Sequence, residues 1–165
     1  MDWKRFWRHV AMTPATARRA FPDATMDAIA RAIAEGERRH RGEVCFVVEA
    51  ELSTTQLWRG LAARERAREV FASQGVWNTE ENNGVLVYVL LADHDVEIVA
   101  DRGIGARVDA AEWRSVVGAM EAHFRGGAYE AGAVTGVNGV NEILARHFPD
   151  ARAGANQIPD RPIMM

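Results

Sequence analysis

The sequence predicts an α/β domain: a small mixed β-sheet, made of a β-α-β crossover plus a β-hairpin, flanked by helices. Three observations lead there. The run Val85-Leu86-Val87-Tyr88-Val89-Leu90-Leu91 is apolar at every position, as expected of a strand covered on both faces. After the turn Ala92-Asp93-His94-Asp95, residues 96–101 alternate, with Val96, Ile98 and Ala100 facing one way and Glu97, Val99 and Asp101 the other. Upstream, the strand-like run Glu43-Val44-Cys45-Phe46-Val47-Val48-Glu49 is separated from this hairpin by a helical stretch, which implies a right-handed parallel crossover.

Length and composition agree with this class. The chain has 165 residues, 48% apolar and 26% charged, enough for one domain with its own core. A net charge of −3 argues against a general nucleic-acid binder, which needs a basic surface. No run reaches the ~18 apolar residues of a membrane span. The N-terminus lacks an apolar signal-peptide core, so a cytoplasmic location is expected. The single Cys45 lies within the first strand and reads as a buried small hydrophobe, unable to supply a disulfide.

Each element has its own local reason. Trp3, Phe6, Trp7 and Val10 recur at helical spacing with basic residues opposite, so residues 1–13 read as an amphipathic helix closed off by Pro14. Two uses stand open for it: docking its aromatic face on the domain, or touching a membrane surface or protein partner through Trp3, Phe6 and Trp7. The main domain spans 20–149. Pro22-Asp23 opens a helix with Asp23 as the expected N-cap and Met26, Ile29, Ala30 and Ile33 as its buried stripe, ending before Gly42. Ser53-Thr54-Thr55 caps a helix expected over 56–74, closed by Gly75, with Leu57, Leu61, Ala67, Val70 and Phe71 on one face. Arg64 and Arg68 fall within that face, either pairing with Glu65 and Glu69 or reaching toward an anion.

Asp109-Ala110-Ala111-Glu112 has capping-box spacing and starts a helix with Trp113, Val116, Val117, Met120 and Phe124 as its stripe. A last helix after Gly126-Gly127 aligns Tyr129, Ala133, Val137, Val140, Leu144 and Phe148. Its Gly132, Gly136 and Gly139 imply close packing on a neighbour. Residues 150–165 read as a flexible tail.

No Gly-x-Ser-x-Gly, P-loop, His-Glu-x-x-His, EF-hand or paired Cys-x-x-Cys motif is present, and the five histidines lack ligand spacing. The chemistry instead comes from topology. A hairpin pairing Leu91 with Val96 brings the loop Glu80-Glu81-Asn82-Asn83 and the loop Asp101-Arg102-Gly103 to one end of the sheet, with Asp109 a few residues on. Glu80, Asn82, Asn83, Asp101 and Asp109 are hard oxygen donors of the kind Ca²⁺ or Mg²⁺ prefers. Asp109 is equally a helix cap, Asn82 and Asn83 equally turn residues that accept positive φ, and Trp77 a core anchor. Glu49 and Glu51 fall at the opposite end.

The segment Val76-Trp77-Asn78-Thr79-Glu80 through Asn83-Gly84-Val85-Leu86-Val87, together with Glu97-Ile98-Val99-Ala100-Asp101-Arg102-Gly103-Ile104, resembles the TPM domain family. So does Gly126-Gly127-Ala128-Tyr129-Glu130-Ala131-Gly132. That family, formerly a domain of unknown function, includes a thylakoid-lumen protein linked to photosystem II repair. The resemblance covers roughly 20–149 and implies an α/β sandwich. For some members it also implies acid phosphatase activity and calcium binding in an acidic cleft. The better-studied members are exported and anchored, whereas this chain looks like a short, soluble, stand-alone form. Their Trp-Gly-x-Gly loop is Trp77-Asn78-Thr79-Glu80 here. Two functions are therefore expected to compete: a calcium-binding module with an accessory or interaction role, and a metal-dependent phosphomonoester hydrolase. In the second, Arg102 or Arg68 would contact the phosphate.

Overall fold

The computed structural model describes residues 2–149 and 156–165. Its elements run α1 (Trp3–Ala11), α2 (Pro14–Ala20), α3 (Asp23–Glu37), β1 (Glu43–Glu49), α4 (Thr54–Trp58), α5 (Ala63–Ser73), β2 (Gly84–Leu90), a 3-10 turn (Leu91–Asp93) and β3 (Asp95–Ala100). They continue with α6 (Arg102–Gly105), α7 (Ala110–Arg125), α8 (Tyr129–His147) and β4 (Ile163–Met164).

The sheet order is β3-β2-β1-β4. β1 and β2 are parallel, as the crossover requires, and β2 and β3 form the antiparallel hairpin. Helices cover both faces, making three layers. On one side Val44, Phe46, Val48, Val85, Val87 and Val89 meet Ile29 and Ile33 of α3 and Met120, Val137 and Leu144 of α7 and α8. On the other, Cys45, Val47, Leu86 and Tyr88 meet Leu57 of α4 and Ala63, Ala67 and Val70 of α5. Alternate residues of one strand thus serve two separate cores, which is why β2 carries no polar position. Burial pushes the Cys45 thiol up to about 11, so it stays protonated and inert.

Several details depart from expectation, each for a physical reason. The hairpin register pairs Leu90 with Asp95 and Val85 with Ala100, two residues from the expected one. The 3-10 turn consumes Leu91, and His94 takes the left-handed conformation at φ 54°. A shift of two preserves which face every side chain takes. The helix expected over 56–74 is broken by Gly60 at φ 67°, giving two helices. Pro14 opens a second helix, α2, capped by Thr13. Asp23 sits in the first turn of α3, with Pro22 at the N-cap position.

Of the expected tail, residues 150–155 lie outside the described residues. The part from 156 on buries Ile158 and adds β4, whose Ile163 and Met164 pair parallel with Val47 and Val48. The close approach of α7 and α8 at the glycines is present: a Cβ on Gly136 would overlap Met120.

Candidate functional site

The N-terminal ends of β1 and β2 and the C-terminal end of β3 share one end of the sheet, here called the loop end. Two backbone hydrogen bonds lock its loops together. Asp101 N–H donates to the Gly84 carbonyl at 2.8 Å, and Gly103 N–H to the Asn82 carbonyl at 3.1 Å. Gly103 is required there, because a Cβ would lie 2.5 Å from the Asn82 carbonyl oxygen. Asn82 takes φ 51°, and its side-chain oxygen accepts from Arg102 Nε and Nη2 at 3.2 and 3.1 Å.

Asn83 is buried. Its N–H donates to Thr79 Oγ1 at 3.0 Å and its amide nitrogen to the Arg41 carbonyl. Asp101, also buried, caps α6 by accepting from Arg102 N–H at 2.7 Å through Oδ1. One oxygen on each is left over: Asn83 Oδ1 and Asp101 Oδ2 are buried without a hydrogen-bond partner. Buried acceptors are normally satisfied, so two exceptions in loops locked to one another ask for an explanation.

The other expected ligands are placed differently. Glu80 is exposed, and its N–H donates to Gln157 Oε1 at 3.0 Å. Asp109 is exposed and caps α7, accepting from Ala111 N–H at 2.8 Å. Arg68 is exposed on α5, with no ion pair or hydrogen bond to the loops among the described residues. Arg64 pairs with Glu97 at 3.0 Å, on β3, and with neither Glu65 nor Glu69. Trp77, expected as a core anchor, is 54% exposed, with its ring N–H donating to the Ala72 carbonyl, so the loop projects it outward.

Among the described residues, no three carboxylate, imidazole or thiolate side chains gather closely enough to hold one metal ion. At the loop end Asp101 is the buried carboxylate beside the Asn82 and Asn83 amides and the backbone oxygens, with Glu80 exposed at the rim. That donor chemistry fits a hard divalent cation completed by water.

Three clusters escaped sequence reasoning. Beside the loop end, Glu37 of α3 accepts from Val44 N–H at 2.9 Å. Burial, aided by the negative neighbours Glu43 and Asp160, pushes its carboxyl up to about 8 against that bond. Burial raises Glu43 likewise, opposed by bonds from Ile158 and Gln157 N–H. At the opposite, turn end, Arg66 grips Glu49 with Nε and Nη2, and Tyr88 donates its hydroxyl to Glu49 Oε2. Burial and the Glu49 charge raise the Tyr88 phenol, so it remains a donor. Also there, Asp93 receives Arg5, Arg8 and His9. Burial alone would raise Asp93, yet the Arg5 and His9 contacts outweigh it and hold its carboxyl below the ordinary value. Arg64 and Arg68 fall on the apolar face only if a single helix runs through Gly60; a helix that begins at Ala63 turns Arg66 inward instead.

With this geometry in hand, comparison with known proteins decides the family. The model of the TPM domain matches residues 16–143. The chain belongs to the TPM domain family. A solved structure of the BA42 protein from the psychrophilic bacterium Bizionia argentinensis is similar, with TM-score 0.76 at 27% identity, covering 86% of this chain and 93% of that one. The N-terminal domain of a protein from P. gingivalis shares the fold, with TM-score 0.60 at 22% identity, over 78% of this chain and 81% of that one. A search of the curated proteins returned no match. Among the described residues, no helix of this TPM domain protein is long and apolar enough to cross a membrane.

Proposed function

We propose that this TPM domain is a binding module with an accessory, non-enzymatic role whose loop end takes a divalent cation, Ca²⁺ in preference to Mg²⁺. The observation that supports it is the pair of buried, unpartnered oxygens, Asn83 Oδ1 and Asp101 Oδ2. Asp101 would supply the charged ligand and Asn83 a neutral one, with Asn82 and Glu80 nearer the rim. Ca²⁺ tolerates such a mixed set of oxygens, whereas Mg²⁺ demands near-ideal octahedral geometry.

The test is a titration followed by NMR shifts and by melting temperature. Saturating Ca²⁺, at ~100 times its dissociation constant, should raise the melting temperature by roughly 5–10 °C. Asp101→Asn should abolish that rise. A protein indifferent to both Ca²⁺ and Mg²⁺ would sink the proposal.

The phosphomonoester hydrolase is the second reading, supported by Arg102, which lies next to Asp101 and is oriented by Asn82. Metal would polarise a phosphoryl oxygen in such an enzyme, and Arg102 would bind the phosphate. Hydrolysis of a generic phosphate ester that stops on adding EDTA, and that Arg102→Ala removes, would put this reading ahead. Turnover that survives EDTA would end it.

A further inference from the structure

Helix α1 is fixed to the domain by its polar edge. Arg5 donates to Asp93 at 2.8 Å through Nε and to the Leu61 carbonyl at 2.8 Å through Nη2. His9, 1% exposed, accepts from Leu52 N–H at 2.9 Å through Nδ1. In the neutral ring this leaves the proton on Nε2, 3.2 Å from Asp93 Oδ1. Of the aromatic residues on α1 only Phe6 is half-buried against the domain.

The docking expected of an amphipathic helix is thus inverted. Trp3 and Trp7 are 60% and 62% exposed, Val10 is exposed beside them, and Trp58 of α4 is 67% exposed. Trp58 stands across an open cleft walled by Asp2, Arg5 and Phe6. At 3.6 residues per turn, the outward arc of α1 runs Val10, Trp3, Trp7, Ala11, Lys4, Arg8, an aromatic stripe bordered by cations. Arg59 adjoins Trp58, and Arg18 and Arg19 are exposed on α2. The first twenty residues carry five basic side chains and one acid, in a chain whose net charge is −3.

We propose that this face docks on an anionic lipid surface. Trp3, Trp7 and Trp58 would enter the headgroup layer, and Lys4 and Arg59 would meet the lipid phosphates, while Arg8 stays paired with Asp93. Contiguous exposed apolar surface marks an interaction site. Tryptophan beside Lys and Arg is the composition that settles at a membrane interface, because the ring is apolar with a polar edge and the cations see a negative potential. A second copy is the weaker occupant: a two-fold contact sets each patch against itself, cation against cation. The Asp93 latch holds the stripe outward, so lipid binding needs no rearrangement of the domain.

The experiment is co-sedimentation of the full chain with vesicles, in EDTA so that the cation site plays no part. Vesicles of equal parts phosphatidylglycerol and phosphatidylcholine should retain the protein at low salt and release it at high salt, while phosphatidylcholine alone should not retain it. Trp3→Ser with Trp7→Ser should weaken retention about ten-fold or more. Both positions are largely exposed, so melting should be unchanged; if that variant unfolds, Trp58→Ser serves in its place. Equal retention by the two vesicle types, or retention indifferent to both variants, overturns the proposal. So does a wild-type dimer in gel filtration that the double variant breaks.

Discussion

At the turn end of the sheet, Glu49 receives two nitrogens of Arg66 and the Tyr88 hydroxyl, and both oxygens of Asp93 receive arginine nitrogens, from Arg5 and Arg8, with His9 Nε2 3.2 Å away. At the loop end, Asp101 receives one backbone N–H and keeps its second oxygen buried and unpartnered. The same residue type at two ends of one strand pair is fully spent in one place and half spent in the other. A buried carboxylate with both oxygens engaged is part of the scaffold; one with an unpartnered oxygen asks for an explanation, and the proposed cation would be one.

The strongest way to break this contrast is at the turn end. Glu49→Ala leaves Arg66 without its main partner and the Tyr88 hydroxyl without an acceptor, and should cost about 3–5 kcal/mol in denaturant unfolding. A loss below about 1 kcal/mol would mean the cluster is wetter than its burial implies. Next comes Gly103→Ala. Its Cβ presses on the Asn82 carbonyl, so it should cost about 1–3 kcal/mol and, by parting the two loops, remove any response to Ca²⁺.

The pH dependence of stability sharpens the comparison further. Glu37, beside the loop end, ionises near 4.5 when unfolded and only near 8 when folded. The folded state holds a proton the unfolded state has lost, so stability should fall as pH rises from about 4.5 to 8. Glu37→Gln should flatten that slope in melting curves. His9 and His40 behave oppositely. Burial lowers both, so their contribution is full above about 6.5 and is lost as pH falls through their depressed values. The smallest effect is expected for Asp101→Asn without metal, since Asn caps a helix about as well as Asp. A change within about 0.5 kcal/mol, together with loss of the Ca²⁺ response, separates ligand from scaffold.

Much of the fold was legible because two periodicities are strong. β1 falls on residues 43–49 as its composition indicates, and β2 and β3 are found within one residue of their expected ends. What escaped were short or contextual features. α2 has no apolar rhythm in Pro-Ala-Thr-Ala-Arg-Arg-Ala, and β4 is two residues long, below any pattern. Gly60 was a break hidden within a plausible helix. Trp77 was misplaced because a large aromatic ring reads as core in a sequence, although its N–H can be satisfied at the surface.

At the site, Asn82, Asn83, Asp101 and Arg102 could be brought together from the hairpin alone, since that contact is nearly local. The Glu37, Glu43 and Asp160 neighbourhood could not. It joins the end of α3, the start of β1 and the last residues of the chain, and only tertiary pairing makes them meet.

The two-residue strand β4 has a consequence larger than its size. Without it the open side of β1 would present the backbone of Val47 and Val48 to solvent, in the most hydrophobic layer of the molecule. Met165 closes the pairing by donating to the Val48 carbonyl and accepting from Ala50 N–H. Any truncation that removes these residues turns β1 into a bare edge, a template on which another extended chain can add and grow into an aggregate.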